Sequence, residues 1–166
     1  VINDDDRTLV GKPNPDFTFG MTNKLSWKAF DLSVLCTAQF GGMLYSMSPG
    51  RYMDNPGMAI SQNVFSWWKN MWRSEEEPGD GKTPALSSTT GDTRWLYSSD
   101  YFRIKNITLG YKLPLNRKII RNARVYFTVE NVWMWDKYDG GYSPENKGNN
   151  AYPQARTYTV GANFSF

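Results

Sequence analysis

The feature that most constrains this chain is a period of two in its apolar residues, which recurs in five separate segments. From Phe17 to Trp27, the odd positions are apolar, with Asn23 as the exception, and the even positions are small or polar. Successive side chains of a β-strand point to opposite faces, so each segment is predicted to be a strand with one apolar and one polar face. The predicted strands span about 16–27, 30–40, 100–113, 124–135 and 156–166.

The apolar parity changes partway along the segment 100–113. Phe102 and Ile104 stand at even positions, whereas the apolar residues that follow them stand at odd positions. One extra residue in the strand returns both halves to the same face. We therefore predict a β-bulge near Lys105-Asn106.

The connections between the predicted strands alternate in length. Two residues join the first pair of strands and a short turn joins the third to the fourth, whereas 41–97 and 136–154 form long loops. Outer-membrane β-barrels have short turns at one end and long loops at the other. Each segment is also close to the ~9–11 residues that a tilted strand needs to cross a bilayer. The pattern favours a membrane barrel over a soluble β-sandwich.

Five strands cannot close a membrane barrel, because even small barrels need about eight. Open sheet edges in lipid leave backbone groups unpaired, at a cost of several kcal/mol each. We therefore expect the chain to be part of a larger barrel. Its last strand carries apolar or aromatic residues at every second position, which resembles the C-terminal signal read by the outer-membrane assembly machinery. The residues of this signal are Tyr158, Val160, Ala162, Phe164 and Phe166.

The composition excludes several classes of site. The chain has no His and a single cysteine, Cys36, so it provides no imidazole base, no zinc site built on His and no intrachain disulfide. We expect no enzyme activity and no cofactor. Asp4-Asp5-Asp6 is the one alternative, since carboxylate oxygens bind Ca²⁺, but a solvated loop is favoured. The net charge of +3 is small and dispersed and does not indicate nucleic-acid binding.

Two runs of sequence are specific enough to suggest a family. They are Arg-Ile-Lys-Asn-Ile-Thr-Leu-Gly-Tyr at 103–111 and Tyr-Pro-Gln-Ala-Arg-Thr at 152–157. Together with weaker matches at 11–17, 30–34, 124–126, 130–131, 138–140 and 144–145, they cover most of the chain in family order. The chain resembles the C-terminal barrel portion of SusC/RagA-type TonB-dependent outer-membrane transporters of Bacteroidetes.

The resemblance implies that these are the last five strands of a 22-stranded barrel, whose plug domain is absent from this chain. It also implies import of oligosaccharides across the outer membrane, with a SusD-like lipoprotein as lid and TonB as the source of energy. Further partners would be the lipid bilayer, the plug and the remainder of the barrel. Import of peptides by the same type of transporter, or a non-catalytic carbohydrate-binding module, are the alternatives.

Candidate contact residues lie in the two long loops, which the resemblance makes extracellular. The segment Ile60–Trp72 has the spacing of a short amphipathic helix. Aromatic faces pack on sugars and on partner proteins, although packing within the loop is the favoured reading for any single residue. The candidates for substrate or lid contact are Trp67, Trp68, Trp72, Tyr138, Tyr142 and Tyr152.

A first prediction follows from the number of strands. Expressed alone, residues 1–166 should aggregate or require the rest of the barrel, because both edges of the sheet are unpaired and its apolar face is uncovered. The measurement is chemical unfolding of the isolated chain in detergent-free buffer. A cooperative transition there would contradict the barrel interpretation and favour a soluble module.

Overall fold

The structure is a computed structural model and describes residues 5, 7–45, 66–85, 93–115, 120–139, 143–146 and 152–166. The chain divides into two compact units, and each is described by itself. The sheet unit comprises 15–41, 100–136 and 153–166; the loop unit comprises 1–14, 42–99 and 137–152. No helix in the described ranges is long and apolar enough to span a membrane.

The described residues contain seven strands. In chain order they are β1 (Phe17–Trp27), β2 (Phe30–Phe40), β3 (Met43–Tyr45), β4 (Leu96–Ser98), β5 (Tyr101–Leu113), β6 (Asn122–Asp136) and β7 (Thr157–Ser165). The sheet unit is an antiparallel sheet in the order β1-β2-β5-β6-β7. Its strands coincide with the five predicted segments, and their ends differ from the predicted ones by at most two residues.

The register places the apolar side chains of all five strands on one face. The apolar residues of β1 lie opposite those of β2, as in the pairs Met21↔Cys36 and Leu25↔Leu32. The same rows continue through β5 and β6 to β7, where Val160 lies beside Phe127. No Asp, Glu, Lys or Arg of the described strands occupies this face, since all of them fall on the other parity or in the bulge.

Many large side chains of this apolar face are exposed in the part of the chain that the structure describes. The side chains of Trp27 and Val160 are 68% and 80% exposed, and Trp133, Phe127 and Phe164 are also exposed. A soluble sandwich buries such a face under a second sheet, and water-facing apolar patches of this extent mark an interaction surface or a membrane. The observed face therefore fits contact with lipid, as the alternation of the sequence predicted.

The predicted bulge in the third long strand is present. On β2, Leu35 and Cys36 are adjacent, whereas their partners on β5 are Asn106 and Ile104, so Lys105 is the extra residue. The change of parity keeps apolar residues on the same face at both ends of β5. It also places Arg103, which is paired with Thr37, on the polar face, and leaves Lys105 as an exposed, unpaired residue of the bulge.

A salt bridge crosses three strands on the polar face. Arg124 of β6 donates from Nε to Oδ1 of Asp31 on β2 at 2.9 Å, and from Nη2 to Oδ2 at 2.5 Å. The guanidinium crosses β5 at Gly110, the residue paired with Asp31. A Cβ on Gly110 would lie 2.5 Å from Nε and 2.6 Å from Cζ of Arg124. Glycine at this position therefore makes the bidentate pair sterically accessible.

The same row contains a second close approach over a glycine. Tyr126 is paired with Gly110 on one side and with Gly161 of β7 on the other. A Cβ on Gly161 would lie 2.7 Å from Cε1 of the Tyr126 ring, and the Arg124 guanidinium carbon lies 5.3 Å from the centroid of that ring. Asp31, Arg124 and Tyr126 thus form one packed polar layer.

The loop unit differs in two ways from what the sequence suggests. Met43–Tyr45 and Leu96–Ser98 pair as β3 and β4, a short ladder where no strand was predicted from the sequence. Of the predicted helix over Ile60–Trp72, residues 60–65 lie outside the described residues, and Ser66–Asn70 forms a 3₁₀ helix. Met71 N makes the last 3₁₀-type bond, to the carbonyl of Trp68, and the helix ends there because Trp72 N donates instead to the carbonyl of Thr83.

The orientation of β7 predicts that a charge introduced on its apolar face destabilises the protein more than one introduced on its polar face. In the full protein, Ala162→Arg should destabilise the folded state by about 2–4 kcal/mol if the residue lies near the bilayer midplane, because it places a charge in lipid. Thr159→Arg, on the polar face, should cost much less. The measurement is guanidinium unfolding in lipid vesicles; equal penalties at the two positions would show that the faces are assigned wrongly.

The close packing of Arg124 over Gly110 predicts that a methyl group added at this position lowers the stability of the protein. Gly110→Ala should destabilise the full protein by about 1–2 kcal/mol, because Arg124 must move off Asp31 and lose charge-assisted hydrogen bonds. Gly20→Ala is the matched control, since nothing lies within 4 Å of its Cβ position, and we expect a change within about 0.5 kcal/mol.

A double-mutant comparison decides whether Arg124 is the cause. In an Arg124→Ala background, the penalty of Gly110→Ala should disappear, since the overlapping group is gone. Both unfolding free energies are measured in the same vesicles. If Gly110→Ala lowers the free energy of unfolding by as much in that background, glycine is required at this position by the backbone and not by Arg124.

Candidate ligand and partner contact site

A compact turn structure positions the tryptophans of the long loop. The 3₁₀ helix Ser66–Asn70 is followed by a tight turn in which the backbones of Ser74 and Glu77 exchange hydrogen bonds, and Glu77 N also donates to Oγ of Ser74. The chain then returns, so that Asp80 N donates to the carbonyl of Asn70 at 2.9 Å. Gly79 has φ = +68° at this return, where a Cβ would lie 2.6 Å from the carbonyl oxygen of Met71. Glycine is therefore required sterically at this position.

Asp80 holds the end of this turn structure. Its Oδ1 accepts from the backbone N–H groups of Lys82 (2.8 Å) and Thr83 (2.7 Å), and its Oδ2 accepts from the Thr83 hydroxyl (2.9 Å). These bonds, the backbone N–H of Thr83 first among them, lower the pKa of the Asp80 carboxyl. The carboxylate thereby sets the direction of the Lys82-Thr83 segment.

Three tryptophans and a tyrosine line one cavity of about 200 Å³ in the loop unit. Trp67 and Trp68 come from the 3₁₀ helix, and Trp95 and Tyr97 come from the segment around β4. Trp68 and Trp95 are buried, at 5% and 4% exposure, whereas Trp67 is 46% exposed. Adjacent tryptophans on one helix point in different directions, and here one is anchored in the unit while its neighbour reaches the surface.

The remaining lining groups of the cavity are polar or cationic. Lys82 and Thr83 come from the turn that Asp80 holds, and Arg94 comes from the short 3₁₀ helix Thr93–Trp95. The guanidinium carbon of Arg94 lies 5.0 Å from the centroid of the Trp95 ring, within the range of a cation–π contact. The lining therefore combines aromatic side chains, among which Trp67 is half-exposed, with two positive charges.

The other predicted contact residues lie apart from this cavity. Trp72 is exposed but does not line it. Tyr138 is buried and packs edge-on against Tyr97, with ring centroids 5.5 Å apart. Tyr152 is 93% exposed, and its carbonyl accepts from Nδ2 of Asn146 at 3.3 Å. Tyr142 lies outside the described residues.

The predicted assembly signal lies on the exposed apolar face of the last strand. Tyr158, Val160, Phe164 and Phe166 are large exposed side chains, and Ala162 is exposed between them. β7 pairs with β6 through Asn122–Glu130, and its other edge has no strand partner among the described residues. The signal residues are thus accessible on a sheet edge. Their role in assembly stays a prediction.

The predicted Ca²⁺ alternative falls mostly outside the described residues, since Asp5 is the one described member of Asp4-Asp5-Asp6. Within the described ranges, no group of three His, Cys, Asp or Glu side chains is arranged to hold a metal ion.

Sequence reasoning missed Lys82, Thr83, Arg94, Trp95 and Tyr97 as site residues. They lie in loop segments without periodicity, 10 or more residues from the tryptophan pair. The one local signal was the adjacent Arg94-Trp95 pair, a combination that favours cation–π contact.

Comparison with known proteins finds TonB-dependent receptors that align with nearly the whole chain. No family model matches. SusC, a TonB-dependent receptor of Bacteroides thetaiotaomicron, is 31% identical over 181 residues, which is 100% of this chain and 17% of SusC. TonB-dependent receptor P3 of Formosa agariphila is 28% identical over 178 residues, 97% of this chain and 17% of that receptor. The names of these relatives describe receptors and not enzymes.

The solved structures agree with the sequences. The RagAB peptide transporter matches with a TM-score of 0.80 and 28% identity, over 95% of this chain and 18% of the matched chain. The RagAB importer in its open-open state matches with a TM-score of 0.79. The chain spans less than a fifth of the length of these relatives. It belongs to the SusC/RagA-type TonB-dependent receptors, β-barrel proteins of the outer membrane, and forms a five-stranded part of such a barrel.

Proposed function

We propose that this chain is part of an active importer that moves oligosaccharides across the outer membrane. A SusD-like lipoprotein captures the ligand with it, and TonB, acting through a part of the protein outside this chain, supplies the energy. The observation that carries the proposal is the similarity to SusC over the full length of the chain. It extends over the loop unit as well as the strands.

The sheet unit has the properties of a segment of barrel wall. Its apolar face is free of charge and suits lipid, and its polar face carries the Arg124–Asp31 pair and the buried Arg103. Arg103 donates to Oε1 of Gln154 and lies 3.2 Å from the sulfur of Met134. Charges on a barrel wall belong on the lumen side, because an ionised group facing lipid costs several kcal/mol. A polar, charged inner wall suits both a plug and a hydrophilic cargo.

The loop unit supplies the contact groups for cargo or lid. Trp67 and Trp72 are half-exposed, and Arg73 follows Trp72 on the same turn structure. Protein and ligand interfaces are enriched in Trp, Tyr, Met and Arg. The turn is held by Asp80 and by backbone bonds across the loop, which lowers the entropy lost when it binds a partner.

Peptide import is the second candidate, and a specific observation favours it. The solved structures that match this chain are described as a peptide transporter and a peptide importer. SusC-like and RagA-like barrels share the wall architecture, so the sheet unit does not discriminate between the two cargoes. We favour oligosaccharides because the cavity of the loop unit combines the half-exposed indole of Trp67 with the polar and cationic side chains of Thr83, Lys82 and Arg94.

The proposal predicts a role for the tryptophan-bearing loop in transport. Deleting 61–75 should reduce uptake strongly while leaving barrel assembly intact, because the deletion removes Trp67, Trp68 and Trp72 but no strand of the sheet unit. The measurement compares uptake of fluorescent oligosaccharides and peptides with surface abundance of the receptor, in cells with and without TonB. The double substitution Glu75→Ala, Glu76→Ala, in exposed positions of the same loop, is the control.

The outcomes separate the two cargoes and test the proposal itself. If uptake of oligosaccharides depends on TonB and is lowered by the deletion, the proposal is supported. If only uptake of peptides behaves in this way, peptide import is favoured. Normal uptake at normal abundance in the deletion strain would show that the loop is a spacer. Uptake that does not depend on TonB would contradict active import.

A further inference from the structure

The cavity of the loop unit has a size and lining that specify a ligand class. We propose that it is a subsite for an acidic sugar residue, a hexuronate, within an oligosaccharide. The proposal rests on the function proposed above, and it names the cargo more narrowly. The cavity of about 200 Å³ has room for roughly seven waters at about 30 Å³ each, which is the scale of one pyranose ring with its substituents.

One aromatic wall suits the ring of a sugar. The indole of Trp67 carries partial negative charge on its π-face, which attracts the C–H groups on the face of a pyranose. Trp68 and Trp95 also line the cavity, but they are buried and expose little surface to a ligand. Trp67 remains half-exposed and offers a face at the edge of the cavity.

The charges of the cavity select an anion. Lys82 and Arg94 are the charged residues that line it, and no Asp or Glu of the described residues does so. The ammonium of Lys82 forms no ion pair with any residue that the structure describes. The neighbouring carboxylate of Asp80 already accepts three hydrogen bonds and does not line the cavity.

Arg94 is suited to a planar carboxylate. Its guanidinium lies against the Trp95 ring, with 5.0 Å from Cζ to the ring centroid, so the group is held at a defined orientation. A guanidinium forms bidentate hydrogen bonds with carboxylates, and a group that is already oriented loses less freedom on pairing. A uronate carboxylate is attached directly to the pyranose ring, which lets one residue use the indole faces and the cations together.

An acidic peptide fits this lining less well. Peptides are captured largely through their backbone, by pairing with a strand edge or with backbone N–H groups. Among the described lining residues, Tyr97 lies on the three-residue strand β4, and the others lie on two 3₁₀ helices and a turn, so the cavity offers at most a very short strand edge. A peptide also presents fewer flat C–H faces to an indole ring. We therefore commit to an acidic oligosaccharide and treat an acidic peptide as an outcome of the test.

The test is calorimetric titration of the purified full receptor in detergent. The probes are trigalacturonate, trimannuronate, neutral galactotriose and triglutamate. We expect at least one of the two uronates to bind at least tenfold more tightly than galactotriose and triglutamate, with an affinity that falls as salt increases. Equal affinity for galactotriose, preference for triglutamate, or no binding of either uronate would overturn the proposal.

Matched variants assign the binding to this cavity. Lys82→Gln should weaken binding of the preferred uronate about tenfold, since a charge-assisted contact is lost, and should leave any binding of galactotriose unchanged. Arg94→Gln should weaken it at least as much. Lys82 is the safer position, because this residue is exposed, whereas Arg94 packs on Trp95.

Lys69→Gln is the control, since this lysine has the same charge, lies on the adjacent 3₁₀ helix and does not line the cavity. If Lys69→Gln weakens uronate binding as much as Lys82→Gln does, the effect is one of general charge and the proposal fails. An unchanged affinity in both cavity variants also overturns it.

Uptake assays keep this proposal separate from the importer proposal. TonB-dependent uptake of neutral glycans, with no uronate binding to the purified receptor, would remove the subsite and leave the importer intact. Uronate binding that depends on Lys82, without any TonB-dependent uptake, would support the subsite and contradict the importer.

Discussion

A strand that crosses a bilayer must pair its backbone on both edges and keep charge off the side that faces lipid. The sheet unit meets the second condition by alternating apolar and polar residues, and the bulge at Lys105 keeps the apolar residues of both halves of β5 on one face. Because register shifts by one residue would expose the whole polar set to lipid, the five strands are locked in one alignment. The first condition is met by the three inner strands, which pair on both edges. The outer edges of β1 and β7 have no strand partner among the described residues.

The polar face is organised around the space left by glycines. Arg124 reaches Asp31 across Gly110, and Tyr126 lies over Gly161, so two large side chains cover two residues that have none. This arrangement keeps an ion pair flat against the wall. In a barrel whose lumen contains other material, a flat polar wall leaves more room than extended lysines and arginines would. The loop unit uses glycine differently, at the positive φ of Gly79, where the chain returns to Asn70.

The strands could be predicted closely because their alternation is a property of each segment by itself. The bulge was predictable for the same reason, since the parity of Ile104 and Ile107 disagrees within one strand. The cavity was not predictable, because it joins Trp67, Lys82 and Arg94 through turns whose geometry depends on Asp80 and Gly79 rather than on any repeat. The β3–β4 ladder was missed because three residues are too few to show a period of two.

The most direct test of the account is whether the two faces of β7 meet lipid and water as assigned. A nitroxide spin label is attached at Val160→Cys or at Thr159→Cys in the full receptor in vesicles, with Cys36 replaced by Ala. The account predicts frequent collisions with oxygen and few with a water-soluble nickel chelate at position 160, and the reverse preference at position 159. Equal accessibility at the two positions, or a water-exposed label at 160, would contradict the assignment of the sheet as a wall of a membrane barrel.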